Sequence, residues 1–172
     1  MHRTVLVLRG SGFIAGFVGA ALFRAGWSVS RGTARPHTDS PDERSCDLTR
    51  IEIPQDAHAL LESVDAVVNV AGILRRPERS FDAIHYRGPL AIAEACVERW
   101  IRPFVQISAL GTKQDGAFVS SKHRLDEALL AMDLDAIVLR PSVVYSMRGS
   151  YGGTSALPIL AWRRSLQRNP SP

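Results

Sequence analysis

The chain has 172 residues, a length that is enough for one well-buried domain and too short for two of ordinary size. Hydrophobic residues make up 45% of it and charged residues 22%, as is ordinary for a globular protein. Its formal net charge of +4 comes from 19 arginines and two lysines scattered along the chain, so a nucleic-acid-binding surface is not indicated. No stretch approaches the roughly 20 apolar residues of a membrane span. The first residues run directly into a predicted strand, so we do not expect a signal peptide. Cys46 and Cys96 lack metal-type spacing, so we expect a cytoplasmic protein with two small buried thiols and no metal site.

The first 30 residues predict a strand, a glycine-rich turn, a helix and a second strand. The apolar run TVLVL is typical of a parallel strand covered on both faces, and Gly10, Ser11 and Gly12 follow it at once. Over residues 13–25 apolar side chains recur at intervals of three and four, which predicts a helix that Gly26 ends. Such a turn lets a phosphate approach free N–H groups at the helix N-terminus. We therefore predict a dinucleotide pyrophosphate site, although tight turns without a ligand also use glycines.

The end of the second strand, near residues 28–32, bears on the choice of cofactor. Many dinucleotide folds place an Asp or Glu about 20 residues past the glycine turn to bind the ribose hydroxyls. Here that position holds Thr33, with Arg31 and Arg35 nearby. A 2'-phosphate would fit this position better than an NAD ribose, so the sequence favours NADP. The alternative is that these arginines are simply solvated.

The remaining chain continues to alternate strands with helices. Strands are predicted before Asp47 and over 64–70, 101–107 and 135–139. Helices are predicted around Leu60 and Leu61, over 81–100 with Pro89 in a first turn, and from a cap at Ser120 or Ser121 to about Met132.

Alternating strands and helices with right-handed crossovers leave few architectures open. We predict a doubly wound α/β fold, the NAD(P)-binding Rossmann fold, with a parallel sheet in the order 3-2-1-4-5-6. Leu8 and Val70 should then lie at neighbouring strand ends, with the cofactor across them. Residues 1–150 would form this domain, and residues 151–172 a C-terminal remnant or tail.

The stretch GSGFIAGFVGAALFRAGWSV follows most of the pattern GxxGFIG, a glycine turn that leads into a helix. It resembles the first βαβ unit of the short-chain dehydrogenase/reductase superfamily, in the extended or atypical branch of epimerase/dehydratase-like proteins. Without a gap, Arg9 stands at the first motif glycine, Gly12 at the second and Ala15 at the third. Arg9 would either impede the approach of the pyrophosphate or place a cation beside it.

Four later segments carry the same resemblance. A D-L step at the end of strand three lies against the adenine in the family, and the V-D-A-V-V-x-x-A-G run passes under the cofactor. An S-A-L-G turn ends strand five, and an L-R-P-x-x-V-Y step lies beside the nicotinamide. The cofactor contacts predicted from the resemblance and from the strand ends are Arg9, Gly10, Ser11, Gly12, Phe13, Ile14, Thr33, Arg35, Asp47, Leu48, Val70, Ala71, Gly72, Lys122, Pro141, Val143 and Val144.

In the superfamily a Ser, a Tyr and a Lys assist hydride transfer, the last two spaced YxxxK on one helix face. The Lys cation lowers the pKa of the phenol, which exchanges a proton with the substrate. By residue matching, Ser108 takes the Ser position and Lys122 the Lys position, so these are the candidate catalytic residues. The alternatives are a turn-forming serine and a solvated lysine. The Tyr position holds Phe118, whose ring offers no proton, so the usual mechanism cannot run from it.

Three functions therefore stay open. We expect an NAD(P)-binding, epimerase/dehydratase-like protein whose catalysis is absent or impaired. The first alternative is an active NADP-dependent oxidoreductase or epimerase acting on an unknown small molecule. The second is a truncated product or a non-catalytic assembly subunit, as in the similar accessory subunit of respiratory complex I, because extended members continue into a C-terminal substrate region. Truncation would expose an apolar surface and favour a homo-oligomer or a protein partner.

Overall fold

The computed structural model describes residues 3–73, 81–112, 114–142 and 144. Val143 and the predicted C-terminal tail, 151–172, lie outside the described residues. Within the described ranges the chain forms one parallel sheet with helices on both faces. None of the helices there is long and apolar enough to cross a bilayer.

Six strands form the sheet, and all neighbouring strands run parallel. They are β1 (Thr4–Leu8), β2 (Ser28–Thr33), β3 (Glu43–Ser45), β4 (Ala66–Asn69), β5 (Pro103–Ile107) and β6 (Asp135–Leu139). Their order is β3-β2-β1-β4-β5-β6, which confirms the predicted Rossmann fold. Leu8 pairs with Asn69, so Leu8 and Val70 lie at neighbouring strand ends, as predicted.

Among the described residues, three α-helices cover the two faces of the sheet. They are α1 (Phe13–Arg24), α2 (Gly88–Glu98) and α3 (Ala117–Ala131). Side chains alternate between the faces of a strand. Val5 and Val7 of β1 therefore pack on the side of α1, whereas Leu6 and Leu8 enter the larger core formed with α2, α3 and Phe104. The near-continuous apolar runs of β1 and β4 reflect this double coverage.

The segment before α2 is wound more loosely than a regular helix. A π-helix, Asp82–Arg87, runs directly into α2, and Pro89 stands in the first turn of α2 as predicted. Short π-helical turns are rare and often occur near functional sites. This one places His85 in the core, where its side chain is fully buried.

The helix predicted around Leu60 and Leu61 is wrong. The chain forms a short 3-10 helix, Pro54–Ala57, and then hydrogen-bonded turns. Most of the backbone bonds here span three residues, and only the N–H of Leu61 reaches a carbonyl four residues back, so no helical nucleus is propagated. Both leucines are still buried in the core, which explains why their pattern resembles that of a helix.

The predicted cap of α3 at Ser120 or Ser121 is also wrong. The helix begins at Ala117, and Gly116 is its N-cap with a φ of +102°, a conformation that favours glycine. Ser121 lies inside the helix, where its Oγ donates to the carbonyl of Phe118. Its hydroxyl therefore bonds a carbonyl of the helix instead of an N–H at the helix start.

Candidate functional site

The turn between β1 and α1 is held by backbone hydrogen bonds. The N–H of Gly10 donates to the carbonyl of Gly32 at 2.9 Å, and the N–H of Gly12 donates to that of Arg9 at 3.0 Å. A Cβ on Gly10 would lie 2.5 Å from the Cβ of Arg31, so close packing on β2 requires glycine there. Arg9, which stands at the first glycine of the family pattern, has a φ of +56°, in the left-handed region that favours glycine.

A cleft of about 220 Å3 opens at the C-terminal ends of β1 and β4, where the strand order reverses. This switch point is where open α/β sheets bind ligands. Helix α1 begins beside the cleft and has no acidic residue in its first turn. The residues that line the cleft are Arg9, Gly12, Phe13, Ile14, Ala15, Val70 and Gly72. All but Ala15 are cofactor contacts predicted from the sequence.

A larger depression of about 410 Å3 lies beside β3, lined in part by Arg44, Leu60 and Glu62. The Arg44 guanidinium already donates to the carbonyls of Leu60 and Glu62, at 2.9 and 2.6 Å. None of the predicted site residues lines this depression. We therefore place the candidate site in the smaller cleft, because it combines the switch point with the helix N-terminus and with basic side chains.

Lys122 joins the ends of β4 and β5 from helix α3. Its side chain is only 2% exposed, and its Nζ donates to the carbonyls of Ala71 and, at 2.9 Å, Ile107. Burial lowers the pKa of Lys122 to about 8; the carboxylate of Asp126 opposes this shift and the charge of Arg9 adds to it. An ammonium group has three N–H donors, and these carbonyls accept two of them. The Nζ lies 4.0 Å from the position of a Cβ built on Gly72, which lines the cleft.

Ser108 follows β5 and belongs to a buried polar cluster. Its Oγ donates to Oδ2 of Asp126 at 2.7 Å, and the same oxygen accepts from Nε and Nη2 of Arg140 at 3.0 and 2.9 Å. The Ser108 proton is thus directed at Asp126, so its hydroxyl offers lone pairs to any other partner. Sequence analysis missed Asp126, although it lies one helical turn after Lys122.

Phe118 lies one turn before Lys122 and packs against a buried histidine. Its ring meets that of His85 edge to face, with centroids 5.1 Å apart, and Phe81 stacks on the same imidazole at 5.3 Å. His85 Nε2 accepts the N–H of Ile73 at 2.9 Å, so Nδ1 carries the proton and donates to Ser121 at 3.0 Å. Burial, with the charges of Lys122 and Arg9, lowers the pKa of His85 to about 3. Both ring nitrogens of this neutral histidine are therefore occupied by protein partners.

The end of β2 carries two arginines in different situations. Arg31 is paired with Asp42 at 2.8 Å and lies 3.5 Å from Glu43. Arg35 is exposed, and no acidic side chain among the described residues pairs with its guanidinium. The backbone N–H of Arg35 donates to Thr33 Oγ1 at 3.4 Å. Arg35 is therefore the arginine that is available to a ligand at this position.

The other predicted contacts lie around this edge of the sheet. Asp47 follows β3, and its Oδ1 accepts from the N–H and hydroxyl of Thr49 at 3.0 and 2.7 Å. Leu48 is buried in the core. Pro141, half-buried, and Val144, 38% exposed, follow β6. The structure thus brings the turn, Val70, Gly72 and Lys122 together, and leaves Asp47 and Leu48 in the separate segment after β3.

The sequence model of the NAD dependent epimerase/dehydratase family matches residues 5–169, nearly the whole chain. The chain belongs to this family. Membership accords with the Rossmann topology and with the position of the cleft at the strand 1 and strand 4 ends. The family is NAD-dependent, so the class of ligand that its members bind is a nicotinamide dinucleotide.

Solved structures of similar fold include proteins named as epimerases and one named as a short-chain dehydrogenase/reductase. A candidate NAD-dependent epimerase/dehydratase from Bacillus halodurans superposes with a TM-score of 0.73 at 22% identity, over 81% of this chain and 70% of that chain. For UDP-N-acetylglucosamine 4-epimerase from Bacillus cereus the TM-score is 0.71 at 19% identity, over 87% and 59%. A short-chain dehydrogenase/reductase superfamily protein from Agrobacterium tumefaciens with bound NAD gives 0.67 at 19%, over 80% and 48%.

Because each identity is below 25%, these likenesses establish the fold alone. The family member described here spans between about half and 70% of those three chains. No curated protein sequence matches it at a significant level.

Proposed function

We propose that the chain binds a nicotinamide dinucleotide across the ends of β1 and β4 and turns it over poorly or not at all. The observation that carries this proposal is Lys122, a buried ammonium held by the carbonyls of Ala71 and Ile107 beside the cleft. Holding a lysine at these two strand ends costs desolvation free energy, which a ligand oxygen accepting its third N–H would offset.

The residues present fit such a cofactor. The cleft, the first turn of α1 and Arg9 suit a diphosphate, and Lys122 suits a ribose hydroxyl. A bound nicotinamide would supply hydride transfer. The chain's own residues would bind and orient it, with the lone pairs of Ser108 as a further polar contact.

Poor turnover follows from the groups around Phe118. The phenyl ring carries no exchangeable proton, and His85, which it contacts, is neutral with both nitrogens engaged. The proton of Ser108 is directed at Asp126. None of these three side chains is therefore ready to exchange a proton with a substrate, a function that typically changes the rate about 10²- to 10⁴-fold. A reductase or epimerase that uses another proton donor is the alternative.

We further propose NADP(H) as the preferred cofactor, because Arg35 has no acidic partner in the described part of the chain and Thr33 supplies no carboxylate. Calorimetric titration should show NADPH binding more tightly than NADH, with a difference that shrinks as salt is added. Arg35→Ala should remove most of the preference. Arg24→Ala, at the far end of α1, is the matched control and should keep it. Equal affinities, or tighter NADH binding, would contradict this choice.

A further inference from the structure

We propose that Arg9 binds the diphosphate of the dinucleotide with its guanidinium, in place of the close backbone approach that a glycine would allow. This inference rests on the proposed function. It decides between the two roles that the sequence leaves open for Arg9, an obstruction or a cation beside the phosphates.

The backbone at Arg9 is the first argument. Its φ of +56° lies in the left-handed region, where a side chain is disfavoured and glycine is the ordinary residue. The turn is nevertheless closed, because the N–H of Gly12 donates to the Arg9 carbonyl at 3.0 Å. An arginine therefore occupies this position without breaking the turn, and its side chain is exposed to solvent, where a ligand can reach it.

The charge around the cleft is the second argument. Arg9 lines the cleft together with Gly12, Val70 and Gly72, and no acidic residue lines it. Among the described residues no carboxylate pairs with Arg9, whereas Arg31, close to the turn, is paired with Asp42. The positive charge of Arg9 also contributes to the lowered pKa values of Lys122 and His85, which places the guanidinium within electrostatic range of the buried site.

The chemistry of the ligand follows from this arrangement. Two cations, Arg9 and Lys122, flank a cleft at a helix N-terminus, and neither is neutralised by an ion pair within the cleft. A guanidinium donates two parallel N–H bonds to phosphate oxygens, which makes it suited to a diphosphate. Arg9 would thereby compensate for the loss of the glycine at which the backbone otherwise approaches the phosphates.

The test is a calorimetric titration of the full chain with NADH, NADPH and ADP-ribose at low and high salt. Arg9→Gly should weaken binding of all three by about tenfold at low salt, and by less at high salt. The affinity of Arg9→Lys should lie between those of the wild type and Arg9→Gly, because lysine keeps the charge but not the paired N–H donors. Ser63→Gly is the matched control, because Ser63 also has a φ of +56° but does not line the cleft, and its binding should equal that of the wild type.

The apparent melting temperature of each unliganded variant checks that the fold is kept. Arg9→Gly and Ser63→Gly should both melt no lower than the wild type, because glycine suits a positive φ. If the wild type binds but Arg9→Gly binds as tightly or more tightly, the arginine obstructs the site and this inference is overturned while the proposed function stands. If the wild type binds no dinucleotide at all, both proposals are rejected.

Discussion

Phe118 and Lys122 lie one turn apart on α3, and the contacts of these two side chains define the chemistry that is available at the site. Lys122 is held by two backbone carbonyls, and the ring of Phe118 packs on the neutral His85. A hydroxyl on that ring would supply the proton-exchanging group that the family pattern has at this position and this chain lacks. The effect of adding it can be measured even without a known substrate.

Phe118→Tyr should create a phenol whose ionisation is coupled to that of Lys122. The ammonium lowers the pKa of the phenol below the ordinary value of about 10, and the phenolate in turn raises the pKa of Lys122. The measurement is a pH titration of tyrosinate absorbance, with the wild-type curve subtracted to remove the other tyrosines. The rate of NADPH oxidation with a panel of sugar nucleotides and small carbonyl compounds should be at most about 10²- to 10⁴-fold higher in Phe118→Tyr than in the wild type.

The double variant Phe118→Tyr, Lys122→Met is the control, since its phenol should titrate at or above the ordinary value. Robust wild-type reductase activity that survives Lys122→Ala would show that the chemistry lies elsewhere and that the assignment of the site is wrong.

Lys122 also predicts a pH dependence of stability. Burial holds its pKa at about 8 in the folded chain, below the ordinary value of 10.5, so the unfolded chain binds more protons between these values. The unfolding free energy of the wild type relative to Lys122→Met should therefore rise as pH increases from about 8 to 10.5 and be flat below that range.

Denaturant titrations of both proteins across this range provide the measurement. Taking the difference between them cancels Cys46 and Cys96, whose pKa values are raised by burial and which give the opposite trend above pH 9. His85, with a pKa near 3, does not titrate in the window. A difference that is independent of pH would mean that Lys122 is not buried as described.

At the scale of elements, the junction of the π-helix with α2 depends on one close approach. A Cβ on Gly88 would lie 2.3 Å from the carbonyl oxygen of Leu48, a backbone atom that cannot move aside like the end of a side chain. The glycine therefore lets α2 pack directly on the segment that follows β3. This segment contains Asp47 and Leu48, the residues predicted to lie against the adenine.

Gly88→Ala should lower the unfolding free energy by about 2 kcal/mol or more, because a methyl group must displace backbone. Gly16→Ala is the control of opposite sign. Gly16 lies inside α1 with nothing within 4 Å of its missing Cβ, so alanine should stabilise the helix by about 0.5 to 1 kcal/mol. Chemical denaturation of the two variants checks both signs, and a neutral Gly88→Ala would contradict the packing at this junction.

At the scale of the whole molecule, the sheet is covered unevenly by the described residues. Helix α1 covers Val5 and Val7 on its face, whereas Ile137 and Leu139 of β6 are 46% and 38% exposed. Self-association or a protein partner, expected from the sequence if the chain is a truncated product, stays a prediction. The family and the fold are established, whereas cofactor binding, the preference for NADP(H) and poor turnover are proposals.

The amino-acid sequence is sufficient to predict the fold, because short apolar runs for the strands and apolar spacings of three and four for the helices, with glycines at the turns, predict all six strands in their correct order. Gly12, Val70 and Lys122 are cofactor contacts predicted from the resemblance and the strand ends, and they stay predictions; Gly12 and Val70 line one cleft, with Lys122 close to Gly72 in it. The helix predicted near Leu60 is wrong because residues buried without helical hydrogen bonds show a helix-like apolar pattern. The cap predicted at Ser120 or Ser121 is wrong because the Ser121 hydroxyl bonds a carbonyl inside the helix.

Which polar groups are already engaged depends on how the elements pack and not on the spacing of residues in the sequence. Arg31 and Arg35 look equivalent in the sequence, yet Arg31 is paired with Asp42 and Arg35 has no acidic partner in the described ranges. The bond from Ser108 to Asp126 joins residues 18 positions apart, and that of His85 to Ser121 joins residues 36 apart. Spacing predicts contacts within one helix or strand, but pairing across elements depends on how the elements pack.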